Sequence, residues 1–324
     1  MSRVGAFGFL VLVLSTVEVS AQVPAKVFQV GYLSYGTPAE SANRVSALRS
    51  GLRDHGYVEG KNIVLVFRRA DTAERLPELA ADLVRLNVDV IIATSSTEVE
   101  AARQATRTIP IVFATHADPQ GVGHVSSLAR PGGNITGLSV LLTELAAKQV
   151  EIMKQTLPQM KRIGVLATLT APSHRPALQA AQAASQRLGV QVVTVPVRTP
   201  DDLDGAFAMM ARERVNAFLA LATPLIRSQR VTVAELALKH RLPGMFGPKE
   251  NVEAGGLMSY FSDLEETSRR AATYIDKILK GAKPGDLPIE QASKYELIIN
   301  LKTAKALGIT IPPSVLQRAD RVLE

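Results

Sequence analysis

Short β-branched apolar runs alternate with amphipathic stretches along most of the chain, and this rhythm narrows the fold more than any other feature of the sequence. Val88-Asp89-Val90-Ile91-Ile92-Ala93 is almost continuously apolar, which suits a strand covered on both faces, as in a parallel sheet flanked by helices. Similar runs occupy residues 27–33, 63–67, 109–114 and 135–140. Between them lie helical patterns. Val45, Leu48 and Leu52 form one apolar face before Gly56, and Leu76, Leu79 and Leu83 form another. The expected class is α/β with parallel sheets.

The pattern then begins again. A helix expected over residues 143–157 is stopped by Pro158, and strands follow at 163–167, 190–195, 217–222 and 244–246. Helix-start signals accompany them. Thr199 with Pro200 and Asp202, and Thr223 with Pro224, each place a capping hydroxyl before a first-turn proline. Asp263 and Glu266 have capping-box spacing ahead of Leu264, Ala271, Ile275 and Ile278, and Gly281 ends that helix. One open sheet of about ten strands is unusual. Two similar Rossmann-like lobes are therefore expected, and the lack of a Gly/Ser-rich stretch between Val140 and Thr143 points to direct crossovers able to act as a hinge.

Composition removes several function classes. The net charge of +7 is spread in single residues or pairs such as Arg68-Arg69 and Arg269-Arg270, and the chain has six Tyr, nine Phe and no Trp. Nucleic-acid binding would need clustered cations interleaved with aromatics, so no nucleic-acid partner is expected. The five histidines, at 55, 116, 124, 174 and 240, lack the spacing of a zinc helix, and no phosphate-binding glycine fingerprint follows a strand. Gly132-Gly133 reads as a turn. Neither metal nor cofactor is expected. Ser2-Arg3, the apolar run to Leu14 and Val19-Ser20-Ala21 read as an export signal over residues 1–21. The absence of cysteine removes disulfides and the usual lipid-anchor site. The expected location is the periplasm, without an anchor.

In open α/β sheets, ligands bind beyond the carboxyl ends of the strands. The candidate binding residues are therefore those of the strand-to-helix turns. After the first strand come Ser34 and Tyr35. After the third come Thr94, Ser95, Ser96 and Thr97, the most hydroxyl-dense turn of the chain. Capping needs one of these, Ser95 with Glu98 or Thr97 with Glu100, which leaves Ser95 or Ser96 to donate to a ligand carboxylate near the helix N-terminus. The fourth turn carries Thr115, His116 and Asp118, although Asp118 before Pro119 also fits a helix N-cap. The second half contributes Thr168, Thr170, Thr223, Phe246 and Tyr260, with His174 read as a surface histidine.

The phrases GLRDHGYVEGKNI from Gly51, SLARPGGNITG from Ser127, VEAGGLMSYFSD from Val252 and KYELIINLKTAKALGITIPPSVL from Lys294 resemble the ABC transporter substrate-binding protein family typified by tryptophan-binding TrpX-like proteins. The resemblance spans essentially the whole mature chain. It implies a type I periplasmic binding fold with three crossovers. The lobes would then be residues 26–139 with 262–291, and 140–261 with 292–324. It also implies a small organic solute held between them. Ser95, Ser96 and Thr115 occupy the places of the hydroxyls that hold an amino-acid backbone in relatives of the fold. Asp118 is the available acidic partner for an ammonium group, and Tyr35, Phe246 and Tyr260 are the available stacking partners.

The resulting expectation is a monomeric, non-enzymatic binding protein. It would pass a carboxylate-bearing ligand, an amino acid or an aromatic compound among the candidates, to an ABC permease in the inner membrane. Two alternatives share the sequence. One is a ligand-sensing module for a membrane receptor. The other is an exported hydrolase built on His116 and Asp118, for which no nucleophile elbow is found.

Overall fold

The computed structural model describes residues 26–324, so the leader expected over residues 1–21 lies outside the described residues. The first five strands are β1 (Phe28–Tyr35), β2 (Ile63–Ala70), β3 (Val90–Ala93), β4 (Ile111–His116) and β5 (Ile135–Ser139). With the late strand β11 (Glu290–Gln291) they form a parallel six-stranded sheet in the order β11-β5-β4-β3-β1-β2. The run at residues 88–93 shows why. Val90 and Ile92 pack toward α1 (Pro38–Asp54) and α10 (Leu264–Leu279), whereas Ile91 and Ala93 pack toward α2 (Leu76–Arg85) and α3 (Ser96–Ala105). A strand with helices on both faces has no polar side, and the sequence has none to offer.

The second sheet uses β6 (Arg162–Ala167), β7 (Gln191–Pro196), β8 (Ala217–Ala220), β9 (Gly244–Phe246), β10 (Met258–Phe261), β12 (Glu296–Asn300) and β13 (Arg321–Leu323). Its order is β13-β12-β10-β9-β8-β6-β7, parallel except where β12 runs against β10. On one face lie α4 (Leu142–Thr156) and α5 (His174–Arg187), and on the other α6 (Asp202–Arg212) and α8 (Arg230–Lys239). The short helices are α7 (Pro224–Ser228), α9 (Glu250–Glu253), α11 (Leu301–Ala306) and α12 (Pro313–Leu316). The chain passes between the sheets three times: from β5 to α4, from β10 back to α10, and from β11 to β12.

Local chemistry explains most boundaries. Thr37 and Glu40 form a reciprocal capping box at α1, Thr223 accepts from the Ile226 N–H at α7, and Asp263 accepts from the Glu265 and Glu266 N–H groups at α10. Two expected caps differ. Thr199 does not cap α6. The helix starts at Asp202, whose carboxylate reaches back to the Arg198 and Thr199 N–H groups at 2.8 and 2.9 Å. Asp118 caps a turn instead of a helix, accepting from the Gly121 N–H at 2.8 Å.

One irregularity bears on function. Phe113 pairs with Gly137 and His116 with Ser139, so β4 spends three residues where β5 spends two. This bulge turns Thr115 and His116 out of the regular pleat. Gly137 accommodates it: its φ is +147°, and a Cβ there would stand 2.1 Å from the Phe113 carbonyl oxygen.

Candidate functional site

The carboxyl ends of β1, β3, β4, β6 and β8 converge on one cleft. Its inner chamber, about 50 Å³, is lined from the first sheet by Thr94, Ser95, Ser96, Thr97 and Thr115. Ala171, His174, Thr223 and Arg227 close it from the second. An adjoining outer chamber of about 370 Å³ shares Thr97, Ala171, Thr223 and Pro224 and extends to Tyr35, Thr72, Thr168, Thr170, Arg198, Pro200 and Leu225. Residues on both sheets line the same space, so their strand ends face one another across it.

Eight of the expected residues therefore come together: Tyr35, Ser95, Ser96, Thr97, Thr115, Thr168, Thr170 and Thr223. Four do not line either chamber. Ser34 is buried at the end of β1. Asp118 is occupied by its turn. Phe246 is fully buried against Phe218, with ring centroids 5.5 Å apart, because the last position of β9 points into the core. Tyr260 packs on Tyr295 at 6.0 Å. Strand-end position places a residue near the cleft, but the pleat decides the side to which it points.

The hydroxyl turn is more committed than its sequence suggests. Ser95 is the N-cap of α3, accepting from the Thr97 N–H, and its own hydroxyl donates to Glu98. Glu98 is wholly buried and also accepts from the Tyr35 N–H at 3.0 Å and the Thr94 hydroxyl at 2.8 Å. Ser96 accepts from the Ala117 N–H at 3.0 Å and lies 3.3 Å from His116 Nδ1. His116 Nδ1 also accepts from the Asp118 N–H at 3.1 Å, its Nε2 lies 2.8 Å from His124 Nδ1, and His124 Nε2 lies 2.7 Å from Glu100. Glu100 in turn pairs with Arg103 at 2.9 Å.

Two important residues escaped sequence reasoning. Arg227, on α7, is 7% exposed and lines the inner chamber. Its Nη2 donates to the Tyr35 carbonyl of the first sheet at 3.5 Å, and its Nε has no partner. Burial, reinforced by the like charge of Arg44, brings its guanidinium down to about 10, so it is still cationic at neutral pH. The signal was its place four residues after the Thr223 cap, one turn into a helix that starts at the cleft. Nearby, Arg230 approaches Glu40 at 3.7 Å, a second contact across the cleft. His174, expected at the surface, is 1% exposed and lines the chamber. Its Nδ1 accepts from the Thr168 N–H at 2.9 Å and its Nε2 donates to the Ala222 carbonyl at 3.3 Å, and burial holds the ring down to about 4.

The hydrolase alternative built on His116 and Asp118 meets an electrostatic obstacle. Burial first, and His124 second, hold His116 well below 6.5, which weakens it as a general base. Asp118, the orienting acid expected from sequence, offers His116 its backbone N–H and not its carboxylate. Among the described residues, no cluster of three or more His, Asp or Glu side chains is placed to hold a metal ion, and no helix is long and apolar enough to cross a membrane.

Comparisons with known proteins agree with this architecture. The model of the ABC transporter substrate binding protein family matches residues 38–323. A tyrosine-binding protein of Clostridioides difficile (strain R20291) is 28% identical over 259 residues, covering 80% of this chain and 74% of that protein. A conserved domain protein from Vibrio cholerae superposes with a TM-score of 0.85 at 30% identity, over 92% of this chain and all of the other. An ABC domain from Streptococcus pneumoniae in complex with L-Trp gives the same TM-score and coverage at 27% identity. The fold is that of the type I periplasmic binding proteins. The matched family is one of substrate-binding proteins, and this chain is a binding protein of that kind and not an enzyme. By its matched length and its paired parallel sheets around a shared cleft, the chain belongs to the ABC transporter substrate binding protein family.

Proposed function

We propose that this protein captures an aromatic α-amino acid outside the cytoplasmic membrane and delivers it to an ABC permease. The observation that carries the reading is Arg227: a buried guanidinium on the second sheet's side that lines the inner chamber and whose Nε has no hydrogen-bond partner among the described residues. An unspent N–H donor on a buried guanidinium is costly, and an acceptor oxygen of a ligand would relieve that cost. The N-terminus of α3 and the Thr97 side chain border the same chamber, and both favour negative charge or an acceptor oxygen. The inner chamber suits the small charged end of an amino acid. The outer one lies in the size range of small-molecule sites and offers Tyr35, Pro200 and Leu225 to a large side chain.

Support for tyrosine or tryptophan as the ligand comes from the relatives, described as tyrosine-binding and as bound to L-Trp. The working cycle is a hinge between lobes 26–139 with 262–291 and 140–261 with 292–324, flexing at the three crossings. A ligand that touches both lobes only when they are closed shifts the population toward closure, and a permease reads that state. The protein acts as a monomer in the periplasm, released there by its leader.

Calorimetric titration with L-tyrosine and L-tryptophan tests the reading, accompanied by Arg227→Gln. The variant should bind about 2 kcal/mol more weakly, the usual worth of a hydrogen bond to a charged group. Absence of heat and of thermal stabilisation with either amino acid, or an Arg227→Gln affinity equal to that of the natural protein, defeats it.

A further inference from the structure

We propose that a cavity at the hinge is a second binding site, for a small organic ammonium ion, and that its occupant favours the closed arrangement of the lobes. The site itself is independent of the amino-acid reading. Only its effect on the cleft rests on the hinge described above.

The cavity has a volume of about 390 Å³, within the range of small-molecule sites, and shares no lining residue with either chamber of the cleft. All three passages of the chain between the sheets wall it. Leu138 stands just before the first, Ser262 and Asp263 form the second, and Ala292, Ser293 and Lys294 belong to the third. At the end of β10, Phe261 lines the inner chamber, and Ser262, next along the alternating backbone, lines this cavity instead. Ser262 is 5% exposed, and its hydroxyl has no hydrogen-bond partner among the described residues. A buried hydroxyl left unpaired is costly, and a ligand that bonds to it relieves the cost.

Charge selects the class of ligand. Four carboxylates line the cavity, and three are spent: Asp263 on Lys249 at 3.1 Å, Glu290 on Arg270 at 2.7 Å and Glu296 on Lys294 at 2.8 Å. Glu266 has no ion pair among the described residues. The two cations of the wall, Arg270 and Lys294, are thus already matched, and one carboxylate is left over. An ammonium ion would pair with Glu266 and donate to Ser262, while Leu138 and Ala292 receive a short hydrocarbon part.

The cavity adjoins the cleft through one contact. The Thr267 hydroxyl on its wall stands 3.4 Å from that of Thr115, which lines the inner chamber. The arrangement described is closed, since Arg227 reaches the Tyr35 carbonyl and Arg230 approaches Glu40 across the cleft. Bending the hinge moves the three crossings relative to one another, so an occupant fitted to the present walls is held best when the lobes are closed. By linkage, that occupant and the cleft ligand strengthen each other.

The test titrates the mature chain with butylammonium chloride, with sodium chloride and sodium butyrate as controls, and follows backbone amide NMR. Saturable shifts should appear at residues 138–140, 262–270 and 290–296 with butylammonium alone. Glu266→Gln and Ser262→Ala should each weaken its binding by about tenfold or more. Saturating butylammonium should raise the affinity for L-tyrosine about fivefold or more in the natural protein, and leave it unchanged in Glu266→Gln. Small-angle scattering should show butylammonium alone reducing the radius of gyration. Shifts that do not saturate or that map elsewhere, the same shifts with butyrate, or undiminished binding in Glu266→Gln overturn the site. An L-tyrosine affinity that is unchanged or lowered by butylammonium overturns its link to closure. If Ser262→Ala does not fold, Glu266→Gln decides. If neither L-tyrosine nor L-tryptophan binds, the amino-acid reading fails, and the shift map and scattering still decide this inference.

Discussion

His174 gives the sharpest test of how the cleft is built. Its ring ties the end of β6 to the end of β8, accepting from the Thr168 N–H and donating to the Ala222 carbonyl, and burial holds it down to about 4. In the unfolded chain the same ring titrates near 6.5. Between those values the unfolded chain binds a proton that the folded chain refuses. Stability from this group is therefore complete above about pH 6.5 and falls as the pH drops toward about 4. A tenfold difference in proton affinity between the two states is worth about 1.4 kcal/mol, so lowering the pH from about 7.5 to about 5 should cost about 2 kcal/mol through His174 alone. His174→Asn retains an acceptor near Nδ1 and removes the titrating ring. Urea unfolding of the natural protein and the variant at both pH values isolates this contribution, because the other histidines and the carboxylates titrate in both proteins and cancel. The natural protein should lose about 2 kcal/mol more than the variant over this interval. Equal losses would refute the argument that a buried, neutral His174 holds the two loops.

Two further substitutions probe the frame around the ligand. Gly137→Ala forces a Cβ against the Phe113 carbonyl at a backbone conformation that L side chains rarely adopt, and should destabilise the protein by about 3 kcal/mol or more. A melting temperature within about two degrees of the natural protein's would show that the β4 bulge does not need glycine. Glu98→Gln replaces a buried acceptor of three hydrogen bonds with an amide that turns donors toward donors, beside Arg227 and Arg44. A loss of about 2 to 3 kcal/mol in chemical unfolding is expected, and an unchanged unfolding midpoint would mean that this carboxylate is not the anchor of the hydroxyl turn.

Most of the architecture could be read from local patterns, since strand runs, capping residues and terminating glycines act over a few neighbouring positions. The run at residues 88–93 specifies a strand covered on both faces because it has no polar side, and Thr37, Thr223 and Asp263 start the expected helices because their oxygens satisfy nearby N–H groups. Eight of the residues picked out at strand ends line the cleft. Phe246 and Tyr260, whose rings pack with Phe218 and Tyr295, and Asp118, whose carboxylate closes its own turn, do not line it. The Thr223 cap marked the place of Arg227 at the cleft but not its burial, and His174 gave no sign of its own, because each is held by a partner far along the chain: Tyr35 for the arginine and Ala222 for the histidine. The sequence alone determined the alternating elements, their caps and the turns from which a binding site could be made. Only the tertiary structure decided which side chains are turned into the cleft and which way their hydrogen bonds run, because those choices depend on the pleat, the bulge and partners that local pattern does not register.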